Sequence, residues 1–169
     1  VLAVNSHGAI AGATLGNDVN LRDIEGRSAL LLGKSKDNNA SCSIGPFIRL
    51  FDDEFGIEQV NSAELTLKVQ GTDGYILHGT SSMREISRSP RDLVRQTCGA
   101  NHQYPDGFML FLGTLFAPTE DRDIPGEGFT HKLGDRVTIS EPQLGDLINT
   151  VKFSTDCPLW DFGISSLME

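Results

Sequence analysis

From Ala63 to Thr80 the chain alternates with a period of two. Leu65, Leu67 and Val69 fall between Glu64, Thr66, Lys68 and Gln70, Thr72-Asp73-Gly74 supplies a turn, and Tyr75 to His78 return. This pattern predicts a β-hairpin with one buried face, and leaves His78 on the strand surface. Leu2 to Val4 and Ile10 to Leu15 predict another hairpin around Asn5-Ser6-His7-Gly8, with His7 a solvated turn histidine. Asn20 is placed to cap a helix from about Leu21, which Gly26 and Gly33 interrupt. Asn38 to Leu50 reads as extended, because Pro46 bars a helix. Phe51 to Asn61, with Asp52-Asp53-Glu54, reads as a solvated acidic loop lacking the D-x-D-x-D-G alternation of a calcium loop. Ser89-Pro90 starts a helix to about Thr97, with Leu93 and Val94 inward. Phe108 to Leu112, Val137 to Ile139 and Leu147 to Phe153 read as strands, the last two around Leu144-Gly145-Asp146. Ala117 to Lys132 is an irregular insertion, either a functional border or a subunit contact. Trp160 and Phe162 are expected to pack against the body. The sum is a mainly β domain with short helices, of the α+β class.

Length and charge narrow the picture. The 169 residues suffice for one domain with a sizeable core, so residues 1–169 are taken as a single unit. A net charge of −9 argues against a nucleic-acid or anionic membrane partner, because either would need a lysine- and arginine-rich surface. Arg84, Arg88, Arg91 and Arg95 form a basic stripe that reads as a solvated face or a subunit contact. Cys42, Cys98 and Cys157 are odd in number and lack metal-ligand spacing, which points to reduced thiols. Cys42 is expected to be a small buried hydrophobe, since no motif places an activating histidine beside it. No apolar run approaches the roughly 20 residues that span a bilayer. A cytoplasmic location is the expectation.

The candidate chemistry lies between Gly12 and Phe47. Asn17, Asp18, Arg22, Asp23, Glu25, Lys36 and Asp37 interrupt an otherwise apolar, glycine-punctuated run there. Asp18 and Arg22 are four residues apart, so a helix starting near Val19 lets both face one space, to which Lys36 must return from further along. An acid able to hold a hard cation, beside an arginine and a lysine able to fix a carboxylate or enolate, suits an electrophilic site. Gly113-Thr114 ends an apolar strand. Glycine there lets a ligand approach the backbone, and threonine offers a hydroxyl and an N–H, so the pair is either the site's other wall or an ordinary strand end.

These motifs, taken in order, resemble the fumarylacetoacetate hydrolase family. GNDVNLRD is similar to its N-D-V-S-A-R-D signature, and SIGPF to its P-I-G-P-W run, with Lys36 six residues before Cys42 where the family carries an active-site lysine. GTSSM (Gly79 to Met83), FLGT (Phe111 to Thr114) and LGDRVTISEPQLGDLINTV (Leu133 to Val151) resemble three further family segments in the same order. The insertion, with HQYPDGF before it, resembles the branch linked to sugar-acid catabolism.

The resemblance implies a mixed β-sandwich roll that commonly dimerises. It implies that Asp18 binds Mg²⁺ (or Mn²⁺ or Ca²⁺), that Lys36 and Arg22 stabilise enolate charge, and that Thr114 beside Gly113 contacts the carboxylate end of a small oxo acid. Leu115 stands where the family has Pro, and Glu25 where it often has Gln, which bears on substrate preference. The implied activity is a Mg²⁺-dependent hydrolase or lyase acting on a 2-oxo acid or 1,3-dicarbonyl compound. Dehydration of a 2-keto-3-deoxy sugar acid is the alternative, and a non-catalytic domain is the alternative of another class. The family's other metal ligands lie in an E-x-E motif entering the VLAV strand, and its catalytic His and Glu on a lid before that. The chain opens at Val1 on that strand, and is expected to be part of a longer protein.

Overall fold

The alternating runs build two antiparallel sheets. The computed structural model describes residues 1–113, 120–126 and 128–169, with Arg22 and Asp23 described by backbone alone. The first sheet contains β1 (Leu2–Val4), β2 (Ile10–Asp18), β3 (Cys42–Leu50) and β6 (Phe108–Leu110), in the order β3-β2-β1-β6. The second contains β4 (Glu64–Gln70), β5 (Ile76–Ser82), β7 (Arg136–Glu141) and β8 (Gly145–Thr150), in the order β5-β4-β7-β8. Short helices complete the chain: α1 (Arg22–Glu25), α2 (Ile57–Asn61), α3 (Pro90–Thr97) and α4 (Ile164–Leu167). The mainly β reading with short helices therefore holds. Both predicted hairpins are present, as β1–β2 and β4–β5. Ser89 caps α3 by accepting the Asp92 N–H, with Pro90 at the first helical position, where its missing N–H costs nothing.

Leu2, Val4, Ala13 and Leu15 of the first sheet share one apolar cluster with Leu147 of the second and Leu144 of the β7–β8 turn, and Phe55, Ile57, Val60, Met83 and Val94 close it. Each fully buried leucine contributes roughly 1.5–3 kcal/mol, so this contact holds the layers together. A second cluster joins Val69, Leu77, Phe129 and Val137. Gly12 and Gly16 mark close approaches. A Cβ at Gly12 would run into the Arg49 backbone, and one at Gly16 into the Val1 side chain and the Phe111 ring. β3 is an edge strand. The β2–β3 register shifts between Ala13, opposite Arg49, and Leu15, opposite Gly45, so Pro46 falls in an irregularity where a ladder donor is not required.

Four expectations are corrected. Phe51 to Asn61 is not loop throughout, because Ile57 and Val60 are spaced to bury one face of α2. The acidic start is a turn in which Asp52 Oδ1 accepts the N–H groups of Glu54 and Phe55 at 2.8 and 2.7 Å. Asn20 does not spend its side chain on a helix cap; its amide donates to Glu25. Cys42 is exposed rather than buried, since it opens an edge strand. Trp160 and Phe162 do not pack on the body: they are 87% and 61% exposed, and the indole N–H donates to the Phe162 carbonyl at 3.1 Å. Of the insertion, the described part folds back on its own domain through Arg122, which is paired to Asp135 and Asp73. Among the described residues, no helix is long and apolar enough to cross a membrane.

Candidate functional site

β2 ends at Asp18, opposite Cys42 at the start of β3. Beyond it the chain makes α1, a 3-10 turn at Ala29–Leu31 capped by Ser28, and a second at Lys34–Lys36 before turning back into β3. The return is fixed by Ser35, which is fully buried. Its hydroxyl donates to the Leu32 carbonyl at 2.7 Å, and its carbonyl accepts the Leu21 N–H at 2.8 Å. Ser41 adds a 2.9 Å hydrogen bond to the Lys36 carbonyl, and the Val19 N–H donates to Ser41 O at 3.0 Å. This loop wraps so that the Lys36 ammonium lies 2.8 Å from Asp18 Oδ2. The side chains remain 32% and 42% exposed, so the pair sits at an open mouth instead of in a sealed core.

Asp18 and Lys36, named from sequence, thus meet across the connection. Glu25 is half-buried and held by the Asn20 amide. Arg22 opens α1, and its side chain is not described. Gly113 is exposed with φ +103°, a conformation that favours glycine, and Thr114 lies outside the described residues. A largely apolar cavity of about 100 Å³ runs between Thr14, Gly16, Phe55, Met83, Phe111 and Gly113. Asp18 and Lys36 do not line it. Gly16, two residues before Asp18 on β2, does, together with Ala13 and Leu15 from the other face of the strand, so the cavity lies next to the charged pair along β2 without including it.

The chemistry available follows from these contacts. Asp18 offers an accessible carboxylate with a cation at one oxygen, an arrangement in which a divalent ion can add to or replace the lysine contact. Among the described residues, no group of three or more His, Cys, Asp or Glu converges as a ready-made metal cage, so Asp18 fits as one ligand of a set. Cys42 is no activated nucleophile, because the partial covering of its exposed strand end pushes its thiol up, the Asp18 carboxylate pushes it further, and Lys36 only partly opposes them.

Sequence reading assigned no role to two other features. Asn17 Nδ2 donates to Asn149 Oδ1 at 3.1 Å, and Asn149 Nδ2 donates to Ser43 Oγ at 3.1 Å, joining the sheets beside Asp18. The only signal in the chain is an asparagine in each motif, 132 positions apart. The second is the Arg122–Asp135 pair, with side chains 2% and 0% exposed.

The "Fumarylacetoacetate (FAA) hydrolase C-terminal" family model matches residues 3–152. The chain is 29% identical over 151 residues to a Saccharolobus solfataricus protein named 2-dehydro-3-deoxy-D-arabinonate dehydratase, covering 89% of this chain and 47% of that one. It is 30% identical over 144 residues to a Haloferax volcanii protein named probable 2-keto-3-deoxyxylonate dehydratase, covering 85% of this chain and 46% of that one. A solved structure described as 2-keto-3-deoxy-D-arabinonate dehydratase complexed with magnesium and 2,5-dioxopentanoate superposes with a TM-score of 0.75 at 31% identity, covering 89% of this chain and 50% of that chain. The chain spans about half the length of the curated relatives it matches.

Proposed function

Since the chain belongs to the fumarylacetoacetate hydrolase C-terminal family, we propose that it is part of a magnesium-dependent dehydratase of 2-keto-3-deoxy sugar acids. The observation that carries this reading is the Lys36–Asp18 contact, a carboxylate and an ammonium 2.8 Å apart at an accessible strand end. The relatives named above are dehydratases, which favours the sugar-acid alternative over the hydrolytic reading. The structure superposed on this chain holds magnesium and 2,5-dioxopentanoate, a small oxo acid.

Magnesium held by Asp18, with further carboxylates of the whole protein such as those of an E-x-E motif, would polarise the carboxylate and keto oxygens of the substrate. The base that takes the proton belongs to the remainder of the protein in this proposal, and the chain's own groups bind the substrate and stabilise its charge. Removal of the proton beside the keto carbon leaves an enolate, and loss of the β-hydroxyl with a proton releases water. Lys36 sets fixed positive charge where the enolate develops, and such preorganised charge lowers the barrier because it need not reorient during the reaction. Arg22 is proposed to fix the substrate carboxylate, and Gly113-Thr114 to bind its carboxylate end through backbone N–H and hydroxyl. Glu25, tied to Asn20, is proposed to border the pocket. A second copy of the chain and the remainder of the protein complete the assembly in this proposal.

The test uses the full-length protein with Mg²⁺ and a 2-keto-3-deoxypentonate, following formation of the dioxo acid. Dehydration that is lost in Asp18→Ala supports the reading. Cleavage of a 1,3-dicarbonyl C–C bond without dehydration would replace it with the hydrolytic one.

A further inference from the structure

Asn17 and Ser43 face each other directly across the β2–β3 ladder, one step inside the terminal pair Asp18 and Cys42. Asn149 reaches over from β8 and engages both: its carbonyl oxygen takes the Asn17 amide, and its own amide goes to Ser43, each at 3.1 Å. Side chains alternate along a strand, so Asn17 points toward the second sheet and Asp18 away from it. One amide therefore grips both strands from behind at the place where they present the carboxylate in front.

We propose that Asn149 is a positioning residue for Asp18. The inference rests on reading Asp18 as a metal ligand. Strand ends open more readily than strand centres, and here the ladder ends within a residue of the functional group. Apolar contacts such as those of the cluster that contains Leu15 and Leu147 hold the sheets together but do not fix register. An amide with a donor and an acceptor in fixed places specifies register, and a slip by one residue would turn Asp18 to the wrong face. Three half-buried polar residues beside an apolar core carry a desolvation cost, which this role explains.

The experiment compares full-length wild type with Asn149→Leu, Asn17→Ala, the double variant and Asp18→Ala. Two readouts are taken well below the melting temperature: Mn²⁺ affinity by electron paramagnetic resonance, and hydrogen exchange of the Val19 amide, which donates to Ser41 just past Asp18. Asn149→Leu should weaken Mn²⁺ binding by roughly 10-fold, the low end of what loss of a group hydrogen-bonded to the ligand itself costs, because Asn149 acts on Asp18 through the strand. It should also speed Val19 exchange while the melting temperature stays near wild type, because leucine extends the apolar contact. The double variant should be little worse than Asn149→Leu alone, since both break one bridge. Wild-type Mn²⁺ affinity and wild-type Val19 exchange in Asn149→Leu would overturn the proposal. If that variant fails to fold, Asn17→Ala, which deletes only one of the two bonds, decides by the same measures. Unchanged Mn²⁺ affinity in Asp18→Ala would instead remove the metal reading, and Val19 exchange would still show whether Asn149 holds the strand end.

Discussion

Two ion pairs of similar composition do opposite work in this molecule. Lys36 and Asp18 meet at 2.8 Å with about a third or more of each side chain open to solvent. Arg122 and Asp135 meet with almost none, and their surroundings are filled. Arg122 Nη2 donates to Asp135 Oδ1 at 2.9 Å and Nη1 to Oδ2, Asp73 lies 3.3 Å away, and the guanidinium stacks 4.6 Å over the Tyr75 ring. Asp135 also accepts the Lys132 N–H at 2.9 Å. The open pair can exchange partners with a cation or a substrate at little cost, because water stands ready to solvate whatever is released. The closed pair cannot, since either group alone would be a buried charge. It fastens the insertion to the β4–β5 turn.

The largest effect expected from this contrast comes from breaking the closed pair. Arg122→Met leaves the buried Asp135 carboxylate with only the Lys132 N–H and the His131 ring, 3.5 Å away, and should lower stability by about 3–5 kcal/mol in urea titration. Arg122→Met with Asp135→Leu should regain much of that, since no charge is stranded. A single variant as stable as wild type would show that water already reaches Asp135.

Next in size is the open pair's effect on chemistry. Lys36→Met in the full-length protein should depress turnover by roughly 10²–10³-fold, as loss of one transition-state donor does, while Mn²⁺ still binds. Retained turnover would remove lysine from the proposed mechanism.

Acid should separate the two pairs further. Burial pushes the Asp135 carboxyl up, but Arg122 and the Lys132 N–H outweigh it and hold the group below its usual range. A folded-state value below the unfolded one means that its stabilisation is complete above about pH 4 and is lost as pH falls from there through the folded value. Stability of the wild type should therefore drop on acidification below about pH 4, and the Arg122→Met, Asp135→Leu double variant should show a shallower drop. Equal slopes would place the acid sensitivity elsewhere. The smallest effect is expected for Asp18→Ala on folding itself: within about 1 kcal/mol in thermal unfolding, since exposed pairs contribute little.

Much of the scaffold could be read from residues a few positions apart. Ser89-Pro90 announced α3, and the Leu65, Leu67, Val69 alternation announced β4, because caps and pleats act locally. The meeting of Asp18 and Lys36 was legible through motif spacing, and the structure adds the buried Ser35 that returns the loop. Asn149 was not legible, since its partners lie on two strands far away in the chain. Nor was Cys42's exposure, because apolar character does not say which strand stands at an edge. Trp160 and Phe162 make the same point, being apolar side chains that the described body leaves uncovered. Arg122 looked like one more charge in a polar insertion until the fold put it under Tyr75.

Pro46 has a consequence for how the protein behaves in a crowd. β3 lies at the rim of its sheet and exposes Ile44, Phe47, Ile48 and Leu50, a composition that in a flat, regular strand would invite a passing chain to add itself. Such addition needs an unbroken row of donors and acceptors in register. At Pro46 one donor is missing, and the neighbouring irregularity throws the row out of step. A strand adding itself at this rim would meet a missing donor and a break in register, which works against backbone zippering and leaves the apolar side chains to contacts made by shape.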